Sequence, residues 1–288
     1  MWENKSLGID IGGSHISARL VDLDSLEVLD DNACGYAVVN PNGTAEEIIE
    51  TWASVIEACF QRYPLKEKRI GIAMPGPFDY EQGISRITGL RKFESLYGLN
   101  IKRLLAGRLS IPPANIRMLN DASAFLLGEV MGGAGRGYRL AAGITLGTGV
   151  GSARFIDGTV QDGDFWCTLF RGERVEDCFC SAWFAKQYAG ISGTPVEGVK
   201  DLLLRIDAEP RIQSIFTAFG QNLAEALLEK YPPEVQDIII IGGNISKAWE
   251  LFMPAARDYL RSKGTRLNLQ PALLGENAAI AGASFLWA

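Results

Sequence analysis

An internal repeat is the feature of this sequence that most restricts its fold. When the sequence is shifted by 135 positions, seven of the fifteen residues at positions 8–22 are identical to those at positions 143–157. Each copy has two extended runs rich in branched residues, joined by a short turn, Gly12-Gly13-Ser14 in the first and Gly147-Thr148-Gly149 in the second. A duplicated hairpin at this separation predicts two related domains, each opened by one copy. The alternative is chance similarity between two glycine-containing hairpins.

Segments typical of helices and strands alternate around the two hairpins. A third extended run is predicted at 28–36, and short apolar strands are predicted at 69–73, 116–119 and 237–243. Helical periodicity occurs at 44–63, 100–109, 121–131, 175–188, 212–230, 247–263 and 276–287, with Thr44 and Glu47 placed as a capping box for the first helix. This order is typical of a mixed α/β fold. We expect an N-terminal domain at 1–119, completed by the C-terminal helix at 276–288, and a C-terminal domain at 120–275.

Composition and charge exclude several classes of protein. The chain has 288 residues, of which 47% are hydrophobic, with 28 Lys and Arg against 34 Asp and Glu and a net charge of −6. A broad nucleic-acid surface normally needs a basic excess, so we expect no nucleic-acid partner. No apolar run reaches the ~18 residues of a membrane-spanning helix. The N-terminus has no signal segment, so we expect a cytoplasmic protein without a membrane partner.

The cysteines and the single histidine exclude further classes. The five cysteines have an odd count and no framework spacing, which predicts reduced thiols at Cys34, Cys59, Cys167, Cys178 and Cys180. A Ser-His-Asp hydrolase would have to use His15, which lies in a glycine turn. That class is therefore nearly excluded.

Both repeated turns are candidate phosphate sites. Strands are predicted before and after each turn, whereas a dinucleotide fingerprint or a Walker loop opens a helix, so both of those motifs are excluded. A turn with little side-chain bulk can instead surround an anion with backbone N–H groups, although most single turns of this kind are only turns. Each turn also carries a hydroxyl, on Ser14 or Thr148, and two such turns facing each other across a cleft would suit a polyphosphate. Asp10 would then need Mg²⁺ between itself and the phosphates; alone, it is equally well explained as a turn-initiating residue.

Asn120 and Asp121 follow the strand predicted at 116–119 and begin a helix. One interpretation is that either residue caps that helix. The other is that Asp121, at the carboxyl end of a strand, accepts the proton of a substrate hydroxyl as the hydroxyl attacks phosphorus. General-base catalysis of this kind is worth ~10² to 10⁴ in rate. The residues alone favour neither interpretation.

Five segments, in order along nearly the whole chain, resemble the motifs of ROK-type sugar kinases. They are Leu7-Gly8-Ile9-Asp10-Ile11-Gly12-Gly13-Ser14, Met74-Pro75-Gly76-Pro77, Leu119-Asn120-Asp121-Ala122, Gly143-Ile144-Thr145-Leu146-Gly147-Thr148-Gly149-Val150-Gly151 and Ile241-Gly242-Gly243-Asn244-Ile245. The resemblance implies a two-domain actin-like ATPase (ribonuclease H-like) fold with a nucleotide and sugar cleft between the domains. It also implies transfer of the γ-phosphoryl group of ATP to a hexose hydroxyl.

The resemblance gives a role to each motif. It makes Asp121 the catalytic base, lets Asn120 and Gly76 bind the sugar, and has Asp10 hold Mg²⁺ through ATP. The phosphate contacts it implies are Gly12, Gly13, Ser14, Gly147, Thr148 and Gly149. Gly242 and Gly243 would let the adenosine approach the backbone, which a side chain would prevent.

The zinc loop typical of the family is altered in this chain. The family has a histidine and three cysteines there, but positions 163–176 contain no histidine and only Cys167. A site made of Cys167, Cys178, Cys180 and Asp164 has the wrong spacing, so we expect no zinc. Packing is expected to support the loop instead, through Phe165, Trp166, Leu169 and Phe170.

Two acidic residues of this loop are candidate sugar ligands. By the resemblance, Glu176 aligns with the sugar-binding Glu of the family, and Asp164 replaces its other loop acid. The alternative for each is a solvated or helix-capping acid. The family's missing histidine is a sugar contact, so the identity of the hexose stays open. Arg91, Lys92, Phe93 and Tyr97 lie where the family's sugar loop closes, without assigned contacts.

Taken with the resemblance, the sequence predicts a glucokinase-like, ATP- and Mg²⁺-dependent kinase of a hexose or hexose derivative. One alternative is a sugar- and nucleotide-binding regulator or sensor that has lost turnover. Another is an actin- or chaperone-like ATPase, which normally has a longer chain. The partner expected is a small-molecule sugar, and a homodimer is the commonest state for soluble oligomers.

Overall fold

The computed structural model describes residues 3–29, 35–90 and 92–288. Cys34, Arg91, the first two residues and the middle of the strand predicted at 28–36 lie outside the described residues. The strands are β1 (Lys5–Ile11), β2 (His15–Asp22), β3 (Glu27–Val28), β4 (Gly35–Val38), β5 (Ile70–Met74), β6 (Phe78–Asp79), β7 (Ile84–Ser85), β8 (Ile116–Asn120), β9 (Leu140–Leu146), β10 (Val150–Ile156), β11 (Thr159–Asp162), β12 (Leu169–Phe170), β13 (Glu173–Arg174), β14 (Ile238–Gly242) and β15 (Leu269–Pro271). The α-helices are α1 (Ala45–Arg62), α2 (Ile101–Leu109), α3 (Asp121–Gly132), α4 (Val175–Cys178), α5 (Ser181–Ser192), α6 (Val199–Arg205), α7 (Ile212–Lys230), α8 (Trp249–Ser262) and α9 (Ala278–Ser284).

The described residues divide into two compact units. The first contains the described chain up to Arg136 together with Glu276–Ala288, and the second contains Gly137–Gly275. The boundary therefore lies in the glycine-rich link that follows α3, and not at the expected position 119/120. The physical reason is that α3 continues directly from β8 and packs closely on α9, so it belongs to the first unit.

The sheet of the first unit has the order β3-β2-β1-β5-β8, with β4 also paired to β2. β1 and β2 form the antiparallel hairpin of the first repeat, whereas β1, β5 and β8 run parallel. Every residue of β5 is buried, as expected for a central strand covered on both faces. Parallel strands end on the same edge of a sheet, and this edge carries the candidate residues described below.

Helix α1 has the predicted cap and buries one face. The Thr44 side chain accepts the N–H of Glu47, and the Glu47 carboxylate accepts the N–H of Thr44, which confirms the capping box. Trp52 and Ile56 are completely buried on its inner face, and both belong to the core of the first unit.

The C-terminal helix α9 lies directly against its neighbours because glycines leave room for it. A Cβ at Gly8, Gly71 or Gly128 would lie 2.3, 1.9 and 2.1 Å, respectively, from a carbonyl oxygen of α9. No side chain fits at such distances. The helix predicted at 276–287 is α-helical only over Ala278–Ser284, with short 3₁₀ turns at Gly275–Asn277 and Phe285–Trp287.

The second unit repeats the topology of the first. Its sheet has the order β11-β10-β9-β14-β15, in which β9 and β10 form the second hairpin and β9, β14 and β15 run parallel. β1 and β9 also share one burial pattern along their seven residues. The hairpins differ by one residue, because Ile11 pairs with Ile16 whereas Leu146 pairs with Val150. The duplication is thus visible in the fold, with a shorter second turn.

Two helical predictions for the second unit need correction. The helix predicted at 175–188 is broken, since α4 ends at Cys178 and α5 begins at Ser181. Contrary to the prediction, Cys178 and Cys180 therefore do not lie on one helix. Phe179, between them, is fully buried. The helix predicted at 247–263 begins as a 3₁₀ turn at Asn244–Ala248 before α8. Within the described chain, no helix combines the length and apolarity needed to cross a membrane.

Candidate functional site

The carboxyl ends of β1, β5 and β8 bring together the candidate residues of the first unit. Asp10, the last residue but one of β1, is in register with Ala73 of β5. Asn120 ends β8 opposite Met74, and Asp121 follows as the first residue of α3. Sequence-distant residues thus meet at one sheet edge, the usual location of sites in parallel α/β sheets.

Asp10 and Asp121 are neighbouring carboxyl groups that both resist ionisation. Burial and, second, the negative charge of Asp121 raise the pKa of Asp10 to about 7. Burial also raises the pKa of Asp121, although a hydrogen bond from the Ala122 N–H and the positive charge of Lys92 oppose the rise. Among the described residues, no hydrogen bond to the half-buried Asp10 carboxylate is found. A cation would stabilise such a pair.

Both the oxygen and the nitrogen of the Asn120 side-chain amide form hydrogen bonds within the protein. Its Oδ1 accepts two backbone N–H groups in the first turn of α3, at 2.9 and 3.3 Å. The capping interpretation is therefore right for Asn120. Its Nδ2 donates to the Tyr80 hydroxyl at 3.3 Å, and that hydroxyl donates to the Met74 carbonyl at 2.9 Å.

Tyr80 also joins Asn120 to Gly76. A Cβ at Gly76 would lie 3.1 Å from the Tyr80 hydroxyl. The structure thus brings the two residues of the first unit that are predicted to bind the sugar, Gly76 and Asn120, close together and beside Asp121. Sequence reasoning missed Tyr80, because an aromatic residue four positions after a glycine in a loop carries no periodic or motif signal.

The first turn is closed by a backbone bond and exposed at its tip. The Gly12 N–H donates to the His15 carbonyl at 2.9 Å, and Gly13 and Ser14 are both exposed. A Cβ at Gly12 would lie 2.9 Å from Cε1 of His15. The imidazole, stacked on Tyr36 at 5.9 Å, fills the space that a side chain at position 12 would need.

The second turn is held by the beginning of α5. Ser181 donates to the Gly147 carbonyl from its backbone N–H at 2.8 Å and from its hydroxyl at 3.1 Å. Thr148 is exposed at the tip of the turn. A Cβ at Gly149 would lie 2.5 Å from Oε1 of Glu176. Glu176, which is expected to bind the sugar, and the second turn, which is expected to bind phosphate, are therefore neighbours within the second unit.

Gly242 and Gly243 lie beside the same turn. Gly242 ends β14 in register with Thr145 of β9. Gly243 has φ +85°, and a Cβ there would lie 2.4 Å from the carbonyl oxygen of Leu146. Only glycine satisfies both conditions. The second unit thus brings together the motifs expected for the phosphates and for adenosine.

The loop at 163–178 is built on an aromatic cluster. Phe165 and Phe170 are 1% and 4% exposed, and their rings lie 6.5 and 5.4 Å from that of Phe179. Tyr231 also packs on Phe165, with ring centroids 5.8 Å apart. Packing thus supports this loop.

The packing prediction is wrong for Trp166 and Leu169, which are 39% and 69% exposed. Leu169 and Phe170 are successive residues of β12, and successive side chains of a strand point to opposite faces, so only Phe170 points inward. Trp166 lies in the turn that follows Phe165.

The two acids of this loop have different surroundings. Glu176 is half-buried in α4, and its N–H donates to the Trp166 carbonyl at 3.1 Å. Asp164 is exposed, has φ +47°, and donates its N–H to the Asp162 carboxylate at 2.9 Å. Glu176 therefore faces the second turn, whereas Asp164 lies on the exposed part of the loop.

No metal cluster forms in the part of the chain that the structure describes: no three His, Cys, Asp or Glu are arranged to hold an ion. Cys167 donates to the Asp164 carbonyl at 3.4 Å, Cys178 lies 3.8 Å from the Glu173 carboxylate, and Cys180 is buried. The three thiols do not converge. That the protein binds no zinc stays a prediction.

Comparison with known proteins shows the family to which the chain belongs. The family model described as ROK family matches residues 6–167. A glucokinase from Thermotoga maritima is 32% identical over 88% of this chain and 86% of its own length. An uncharacterized protein from Clostridium perfringens is 26% identical over 57% of this chain, and the chain spans 58% of that protein's length.

The similarity extends to solved structures. A ROK family glucokinase from Streptomyces griseus, in complex with glucose and AMPPNP, is similar with a TM-score of 0.76 and 21% identity, covering 98% of each chain. The fold is the two-domain actin-like ATPase fold, which confirms the expected class. The chain belongs to the ROK family.

Proposed function

We propose that this protein is a carbohydrate kinase that transfers the γ-phosphoryl group of ATP to a hydroxyl of a hexose or hexose derivative. The observation that carries the proposal is the pair Asp10 and Asp121, which lies on the sheet edge that leads into the first glycine turn. Perturbed carboxyl groups of this kind are typical of functional sites. Membership of the ROK family and the relative named glucokinase support a sugar as the acceptor.

Asp121 is the proposed general base. Burial raises its pKa, and a base is most effective when its pKa lies near the working pH. The sugar hydroxyl oxygen attacks the γ-phosphorus and forms a new O–P bond while the bond to the β–γ bridging oxygen breaks. The hydroxyl proton passes to Asp121, and ADP leaves with the electron pair of the broken bond.

Asp10 suits a magnesium ion carried with the nucleotide. The Asp10 carboxylate lies beside a second negative charge, and among the described residues no hydrogen bond to it is found. One carboxylate is sufficient, because Mg²⁺ keeps several waters and also binds phosphate oxygens. When bound, the ion would neutralise negative charge on the phosphate oxygens.

The remaining contacts are assigned to both units. We assign the phosphate contacts to Gly12, Gly13 and Ser14 in the first unit and Gly147, Thr148 and Gly149 in the second. Gly242 and Gly243 leave backbone free for the adenosine. Sugar contacts are assigned to Gly76, Asn120, Glu176 and Asp164. Because the Asn120 carbonyl is engaged by α3, its remaining amide N–H is the group available to a sugar oxygen.

An ADP-release assay over a panel of hexoses and N-acetylhexosamines tests the proposal. The protein is supplied with ATP and Mg²⁺, and nucleotide and sugar binding are measured in parallel by calorimetry. We expect release of ADP that depends on at least one sugar. Binding of both ligands without release would instead support the sensor, and sugar-independent hydrolysis would support an ATPase; either result overturns the kinase proposal.

A further inference from the structure

Lys92 lies beside both the first turn and the proposed base. A Cβ at Gly13 would lie 3.7 Å from Cδ of Lys92, so the aliphatic part of the lysine passes over the turn. Its positive charge is also close enough to Asp121 to lower the pKa of that carboxyl group. The Lys92 side chain is half-buried. One lysine thus adjoins the two parts of the site that the reaction must bring together.

The core fixes the backbone next to Lys92. Phe93 is completely buried, its N–H donates to the Pro41 carbonyl at 2.7 Å, and its ring meets Trp52 edge-on at 5.5 Å. Phe93 has φ +54°, a conformation that is unfavourable for a bulky residue and is kept only where surrounding contacts impose it. Lys92 therefore extends from an anchored position and not from a loose loop.

The Lys92 ammonium group forms no hydrogen bond or ion pair with the residues that the structure describes, although Asp121 is in its vicinity. A half-buried cation without such a partner is available for an anionic ligand. The anion that the proposed function brings to Gly13 is a nucleotide phosphate.

We propose that Lys92 is a further catalytic residue, whose ammonium group binds an oxygen of the γ-phosphoryl group during transfer. This inference rests on the proposed kinase function. Negative charge shared by the phosphoryl oxygens is stabilised by lysine, arginine or metal clamps placed in advance. Lys92 keeps its three protons throughout: it donates hydrogen bonds, while the hydroxyl proton goes to Asp121 and the electron pair leaves with ADP.

The test compares Lys92→Met and Lys92→Arg with Lys66→Met, an exposed lysine between α1 and β5. With the best sugar of the wild type, Lys92→Met should lower kcat by about 10² to 10³-fold, the usual cost of removing one such donor. The Kd for ADP and the thermal midpoint should stay near those of the wild type. Lys92→Arg should recover at least part of kcat, and Lys66→Met should resemble the wild type.

Two results would overturn the inference. They are a Lys92→Met variant with kcat near the wild-type value and a variant in which only the KM for ATP rises. If Lys92→Met does not fold, Lys92→Gln takes its place under the same criteria. A wild type without sugar-dependent turnover overturns the proposed function and this inference together, whereas an active wild type with an active Lys92→Met variant overturns this inference alone.

Discussion

The negative charge of Asp121 adds to burial in raising the pKa of Asp10 to about 7. The two carboxyl groups come from different elements, the end of β1 and the start of α3. They meet because β1, β5 and β8 are parallel and end on one edge. A pair of this kind retains a proton near neutral pH unless a cation is bound, which connects the fold directly to the proposed chemistry.

Asp10→Asn should stabilise the protein at alkaline pH. The Asp10 pKa is about 7 in the folded protein against an ordinary value of 3.8, so the folded state binds the proton more tightly. The stability gained from the protonated carboxyl group is therefore present at low pH and lost as the pH rises from about 4 to 7. Asparagine avoids that loss. Urea denaturation without Mg²⁺ should show a variant more stable by a few kcal/mol at pH 8, because one pKa unit corresponds to about 1.4 kcal/mol.

The same variant should differ little from the wild type at pH 4, where both side chains are neutral. Asp207→Asn, at an exposed position, serves as the control and should show no such dependence on pH. A variant that is less stable than the wild type at pH 8 would refute the account of Asp10.

Gly128→Ala should destabilise the protein. The new methyl group would lie 2.1 Å from a carbonyl oxygen of α9, and forcing extra volume into a packed contact costs about 1 to 3 kcal/mol or more. Gly107→Ala is the matched control, since Gly107 lies in α2 with no atom within 4 Å of the added carbon. Alanine there should stabilise by about 0.5 to 1 kcal/mol. Equal effects of the two substitutions in urea denaturation would contradict the close packing of α9.

Phe165→Ala should destabilise the loop that lacks the family's zinc pattern. Phe165 is almost completely buried against Phe179 and Tyr231, and truncation of a buried Phe costs about 3 to 5 kcal/mol. The neighbouring Trp166→Ala should cost much less, because Trp166 is 39% exposed. The measurement is the free energy of unfolding of each variant, and a larger loss for Trp166→Ala would be inconsistent with the aromatic support of this loop.

Metal analysis of the purified protein tests the same loop independently. The described thiols of Cys167, Cys178 and Cys180 do not converge, so we expect no stoichiometric zinc and no change of the thermal midpoint with EDTA. One zinc ion per chain would show that the loop is held by metal and not by packing alone.

The sequence predicted the repeated elements well, because hydrophobic periodicity and glycine turns are local signals. The bounds of α7 agree with the predicted 212–230, and β9 and β10 lie on either side of the predicted turn Gly147-Thr148-Gly149. Two-residue strands such as those of the hairpin β12–β13 are too short to show periodicity, and they were not predicted. The helix predicted at 175–188 is interrupted where Phe179 turns into the aromatic core, a tertiary effect that periodicity does not show.

The candidate site was predicted as motifs but not as contacts. Asp10 and Asp121 were chosen from their motifs, and the structure adds that the charge of one raises the pKa of the other. The bond between Asn120 and Tyr80 joins residues 40 positions apart, and Lys92 adjoins Gly13, from which it is 79 positions away in the sequence. Such contacts depend on the order of the strands in the sheet, and local sequence patterns do not predict that order.

The turnover of Asp121→Asn, measured with ATP, Mg²⁺ and the best wild-type sugar, tests the central claim most directly. Asparagine keeps the shape and can still accept the Ala122 N–H, but it cannot take up the hydroxyl proton. We predict a kcat lower by about 10² to 10⁴-fold with the Kd for ADP nearly unchanged. A variant that turns over at close to the wild-type rate would show that Asp121 is not the base and that the site described here does not carry the reaction.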